Sequence, residues 1–108
     1  MASLVTRQFS VVANPDSRTR GNAPFLVVLQ SHYLRVLDTV MVAPLMRADV
    51  IQADDALWLS IPFEGEIYTL DLALMTHIDR RLLGQPVGEL TEHDAVIRWG
   101  VERIFNGF

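Results

Sequence analysis

At 108 residues the chain is the size of one domain and long enough to bury a core without disulfides or a structural metal. It has no cysteine, which excludes disulfide frameworks, thiolate metal sites and cysteine nucleophiles, and its net charge of −4 opposes the long-range attraction that draws proteins onto phosphate backbones. Half of the residues are hydrophobic, yet the longest apolar runs, residues 25–29 and 40–45, are strand-sized and far short of the roughly 20 residues that a membrane-spanning helix requires.

Residues 8–13 begin with period-two alternation, which puts Phe9 and Val11 on one face as in a first strand. Asn14-Pro15-Asp16 ends it and opens a polar stretch, 14–24, whose two prolines, glycine and charges predict a long, exposed, mobile loop. The run Phe25-Leu-Val-Val-Leu29 predicts a buried strand. Residues 40–43 predict another, with Pro44 forcing it to end, to bulge or to run along a sheet edge, because proline has no N–H to give a ladder. The clearest hairpin pairs residues 57–61 with 66–70 across Pro62-Phe-Glu-Gly65, where Gly65 supplies the positive φ of a tight connection. Strand-length segments at short intervals over about residues 8–75 argue for a small antiparallel barrel or sandwich.

The last element, over about residues 91–105, differs in kind. Thr91-Glu-His-Asp94 has the form of a capping box with aspartate in the glutamate position, so Thr91 is the expected N-cap. Beyond it Ile97, Val101, Ile104 and Phe108 make one stripe at 100° per residue, the core-facing side of an amphipathic helix. Trp99 falls on the far side of that helix, a place for a ring packed under a neighbouring strand or loop, or for one that meets a second subunit or another partner. The expectation is therefore one domain, 1–108, mainly β with a C-terminal helix. Met1 to Gln8 has none of the features of an export signal, so the expected compartment is the cytoplasm.

Signatures of catalysis are sparse. Ser3, Ser10, Ser17, Ser31 and Ser60 sit in no nucleophile elbow, and the six glycines build no phosphate loop. His32, His77 and His93 lie apart, outside any metal-ligand spacing, and Asp54-Asp55 reads as part of a solvated connection. Neither a cofactor nor a metal is expected. Arg80-Arg81 with His77 upstream is the one grouping of acid–base and phosphate-binding residue types. It reads as a ribonuclease site or, with no aromatic platform beside it, as an exposed turn.

From Arg7 onward the chain resembles the CcdB family, the gyrase-poisoning toxins of bacterial toxin–antitoxin pairs. The resemblance is carried by Gln8-Phe9, Leu29-Gln30-Ser31, Val42-Ala43-Pro44-Leu45, Gly88-Glu89-Leu90-Thr91 and the tail Phe105-Asn106-Gly107-Phe108, in that order and spacing. It implies an SH3-like five-stranded barrel with a small accessory sheet and a long C-terminal helix, acting as a homodimer. It also implies two partners, the DNA gyrase A subunit and a CcdA-like antitoxin whose disordered C-terminal segment folds on binding. No direct nucleic-acid or membrane partner is expected. Family members end in Trp-Gly-Ile, with the indole stacked on a gyrase arginine; the matching positions here are Asn106, Gly107 and Phe108, and they are the implied gyrase-binding residues. Asparagine in place of the indole removes a cation–π contact worth about 1–2 kcal/mol when desolvated. Trp99 does not simply replace that ring, since seven residues at 1.5 Å each set it about 10 Å nearer the helix start. Two other functions stay open beside gyrase inhibition: an endoribonuclease on the same barrel, and a non-poisoning relative that only binds an antitoxin.

Overall fold

The computed structural model of the chain describes residues 7–30, 38–47 and 57–106. Its strands are β1 (Ser10–Ala13), β2 (Phe25–Val28), β3 (Thr39–Arg47), β4 (Trp58–Phe63), β5 (Glu66–Asp71), β6 (Thr76–Asp79) and β7 (Pro86–Glu89), followed by helix α1 (Asp94–Asn106). All pairings are antiparallel, in the order β4-β5-β3-β2-β1-β7, with β6 also on β3. The sheet curls into a half-barrel. Its end strands meet through side chains: a Cβ built on Gly88 of β7 would stand only 2.5 Å from the Phe63 ring of β4. Phe63 in turn packs edge-on against Phe25, with ring centroids 5.3 Å apart, so the closing contact is part of the core. Among the described residues no helix is long and apolar enough to cross a membrane.

The sheet buries both faces, which is why β2 reads as an unbroken apolar run rather than as an alternation. Val11, Val27, Ala43 and Leu45 join Ile61, Leu70 and Ile97 of α1 on the concave side. Val12, Leu26, Val28, Val40 and Val42 form a second cluster, covered by Ile78 and Leu83.

Pro44 does not end β3. The strand runs on to Arg47, with Pro44 opposite Leu26 in its middle. The N–H of Leu29 donates to the Met41 carbonyl and the N–H of Arg47 to the Asn22 carbonyl, so odd-numbered residues of β3 turn their polar groups toward β2. Pro44 therefore aims its missing N–H at the opposite side. There β3 changes partner, from β6 along Thr39–Val42 to β5 along Leu45–Arg47, and no ladder bond is forfeited.

Three further expectations are corrected. Strands do not stop near residue 75: β6 and β7 follow, each four residues long and held by pairing with β3 and β1 rather than by apolar content of their own. The stretch 14–24 is exposed, but it is a hydrogen-bonded turn instead of a mobile loop. The buried Asn14 amide donates to the Ala23 carbonyl and Thr19 Oγ1, and Arg20 Nε donates to the Asn14 carbonyl. Thr91 does not cap α1 through its side chain. It opens a 3-10 turn, Thr91–His93, and the α-helix begins at Asp94. The expected hairpin is present and tighter than the spacing suggested, since Pro62 and Phe63 belong to β4. The connection is Glu64-Gly65 alone, with φ of 50° and 83°, the two positive values of a type I′ turn.

Candidate functional site: the outward side and far end of the helix

Helix α1 is held from one side only. Ile97 is fully buried, Gly100 is buried, and Val101 and Ile104 pack partly against the same core, as the stripe in the sequence required. The beginning of the helix is fixed to the start of the barrel. Phe9, buried and at a left-handed φ of 68°, donates its N–H to the Val28 carbonyl and accepts from the Leu90 N–H, tying β2 to the turn before α1. Arg98 sits above the Phe9 ring, pairs with Asp94 and donates from Nη2 to Gln8 Oε1 at 2.9 Å. The Gln8-Phe9 landmark thus has a structural task, which is to orient the helix.

The outward side is left to solvent among the described residues. Trp99 is 49 % exposed, so it is not tucked under a strand or loop; the Arg103 guanidinium lies 4.9 Å from its ring centroid, one turn further along. Val96 is exposed three residues before it. On the other flank Phe105 is 66 % exposed, the highest value among the exposed large hydrophobic side chains. Asn106, exposed, is the last residue of the helix, whereas Gly107 and Phe108 lie outside the described residues. Phe105 was not singled out in the sequence. Its signal was present in the helical wheel, where it falls a quarter-turn off the buried stripe.

In the ribonuclease grouping one of the two arginines is already engaged by a carboxylate. His77 is exposed on β6, and the Arg81 fork is filled by Asp79, with Nε 3.1 Å from Oδ1 and Nη2 2.7 Å from Oδ2. That fork and the Arg81 backbone N–H hold the Asp79 carboxyl at about 2, well below its ordinary value. An arginine so engaged is a poor phosphate ligand. Asp54, Asp55, Ser31 and His32 lie outside the described residues.

A mostly β half-barrel with one C-terminal helix, whose far end carries the most exposed aromatic ring among the described residues, is the class of protein that this fold and site define. The chain belongs to the CcdB family: the family model described as CcdB protein matches residues 8–107. A search of curated proteins gave no match. Membership places the chain in a family of toxin–antitoxin toxins.

Proposed function

We propose that this chain is the toxin of a type II toxin–antitoxin system, a cytoplasmic homodimer that binds the DNA gyrase A subunit through the ends of its two C-terminal helices and inhibits or traps the enzyme. It acts as a protein inhibitor, not as a catalyst, and a CcdA-like antitoxin neutralises it. The observation that supports this most is the one-sided anchoring of α1. Its core contacts come from Ile97, Gly100, Val101 and Ile104, while Phe105 and Asn106 at the far end stay exposed. A rigid helix whose tip is free of core duty is preorganised to enter a cavity in a partner without an ordering cost.

Asn106 at the anchor position supports a second reading, a non-poisoning relative that only binds its antitoxin. Losing about 1–2 kcal/mol of cation–π energy weakens binding roughly five- to thirtyfold, a deficit that Phe105, Phe108 and Trp99 have the apolar area to offset. Titration of the purified gyrase A subunit with the full chain, followed by calorimetry, separates the two. Saturable binding supports the toxin. Absence of heat together with tight binding of an antitoxin C-terminal peptide selects the second reading.

A further inference from the structure

The apolar stripe of α1, formed by Ile97, Val101 and Ile104, holds the helix against the core but does not fix its roll about its own axis, because apolar contact has no preferred direction. Roll decides where the exposed end faces. A hydrogen bond off the stripe is directional and fixes it. Gln8 makes such a bond from outside the helix: its Oε1 accepts from Arg98 Nη2 at 2.9 Å, while its Nε2 donates to the Leu29 carbonyl at 3.0 Å. One amide therefore ties the middle of α1 to the residue that follows β2.

The backbone is bent to present that amide. The Ser10 N–H donates to the Arg7 carbonyl at 3.0 Å and the Arg7 N–H to Ser10 Oγ at 3.0 Å, closing a four-residue turn with Gln8 and Phe9 at its centre. Gln8 has a negative φ and Phe9 a φ of 68°, the pattern of a type II turn, whose third position ordinarily takes glycine or asparagine. An aromatic residue in the left-handed region is strained, and such strain persists only where the surroundings over-determine it. Here the turn sends the Phe9 ring into the core beneath the Arg98 guanidinium and leaves Gln8 half-buried beside α1. Asp94 holds the same guanidinium from one turn earlier in the helix. The Arg98 and Asp94 side chains are 55 % and 42 % exposed, and polar contacts so open to water add little stability. The strained turn and its polar chain serve placement more than strength.

What is placed is the face that carries Phe105. Seven residues at 100° each come to about 20° short of two full turns, so Phe105 stands on the same face as Arg98, about 10 Å further along. We propose, resting on the gyrase reading, that Gln8 is a positioning residue for target binding. Acting through Arg98, it sets the roll of α1 and so the direction in which Phe105 meets the gyrase A subunit. Gln8 itself does not touch the target.

The test is a double-mutant cycle of Gln8→Leu and Phe105→Ala in the full chain, read as affinity for the purified gyrase A subunit, with urea denaturation as the check on folding. Leucine keeps the apolar stem and drops both hydrogen bonds. Arg98→Met cuts the same link from the helix side and takes its place in the cycle should Gln8→Leu not fold. Gln8→Leu is expected to bind about tenfold more weakly than wild type, yet to cost less than about twofold in the Phe105→Ala background, because the ring that it misdirects is gone. Equal losses in both backgrounds mean that Gln8 touches the target itself and overturn the proposal, as does wild-type affinity in Gln8→Leu. Residual dipolar couplings of the α1 amides, measured without any partner, read the roll independently of gyrase. They should show α1 rotated or mobile against an unchanged sheet in both Gln8→Leu and Arg98→Met; couplings identical to wild type overturn the proposal. A wild type that binds no gyrase overturns the gyrase reading, whereas the couplings still decide whether Gln8 sets the roll.

Discussion

The ring of Phe63 lies against Gly88, so the first and last strands of the curled sheet meet at a point where no side chain fits between them. A methyl group at residue 88 would sit 2.5 Å and 2.8 Å from two ring carbons. The ring has little room to retreat, because Phe25 and Tyr68 flank it at 5.3 Å and 6.4 Å. Gly88→Ala is therefore expected to destabilise the domain by about 1–3 kcal/mol, the usual cost of overpacking. Gly84→Ala, with nothing within 4 Å of the added carbon, is the control and should change stability little. Urea denaturation of both variants checks the contrast.

Trp99 and Arg103 make a surface pair, and its removal should show in binding far more than in folding. Trp99→Ala is expected to cost less than about 1 kcal/mol of stability, since an exposed cation–π contact is worth about 0.5–1 kcal/mol. If Trp99 belongs to a partner surface, affinity for the gyrase A subunit falls about tenfold or more, in the manner of an interfacial tryptophan. Parallel thermal melts and calorimetric titrations read the two effects separately. A large stability loss with unchanged affinity would instead make Trp99 a packing residue.

Two aspartates should pull the pH dependence of stability in opposite directions. Burial raises the Asp71 pKa above its ordinary value, against the hydrogen bonds from Ala73 N–H and the Trp58 side chain. The folded state then holds that proton more tightly than the unfolded state, so the Asp71 contribution falls as pH rises from 3.8 through the raised folded value. Asp79, lowered to about 2 by Arg81, contributes in the other sense: its part is complete above 3.8 and is lost as pH falls toward 2. Melting temperatures between pH 2 and 7 should show the wild type losing its advantage over Asp79→Asn on the acid side. Asp71→Asn should gain on wild type as pH climbs above 4. The reverse order in either case contradicts the assigned environments.

Truncation after Phe105, removing Asn106, Gly107 and Phe108, should leave a folded barrel, because Ile97, Val101 and Ile104 keep their core contacts. Ile97→Ala, at a fully buried position, is the opposite case and should cost about 2–5 kcal/mol. Far-ultraviolet circular dichroism with denaturant titration distinguishes a folded, non-binding truncation from an unfolded one. Unfolding on truncation would make Phe108 a core residue.

How far the fold can be read from the sequence depends on what each segment relies on. β2, the β4–β5 hairpin and the buried stripe of α1 were legible because apolar side chains or a turn glycine fix them locally. β6 and β7 were not, since Thr76-His-Ile-Asp79 and Pro86-Val-Gly-Glu89 become strands only by lying against β3 and β1. Pro44 misled for a related reason: its harmlessness depends on where β3 exchanges one neighbour for another, a tertiary fact. The tightness of the 14–24 turn rests on Asn14 reaching across nine residues to Ala23, which composition does not reveal. At the site, Trp99 stood out as an oddity of helical phase and the tail through the family resemblance, whereas Phe105 was quoted within that tail but given no role, because the resemblance implied only Asn106, Gly107 and Phe108.

The central claim, that the free end of α1 serves gyrase inhibition, is tested most directly by purified gyrase in supercoiling and DNA-cleavage assays with the full chain. The account predicts loss of supercoiling and accumulation of cleaved DNA at micromolar protein, both abolished by Phe105→Ala or by removal of residues 106–108. Undiminished supercoiling with no cleavage complex, from a preparation shown to be folded, would contradict it.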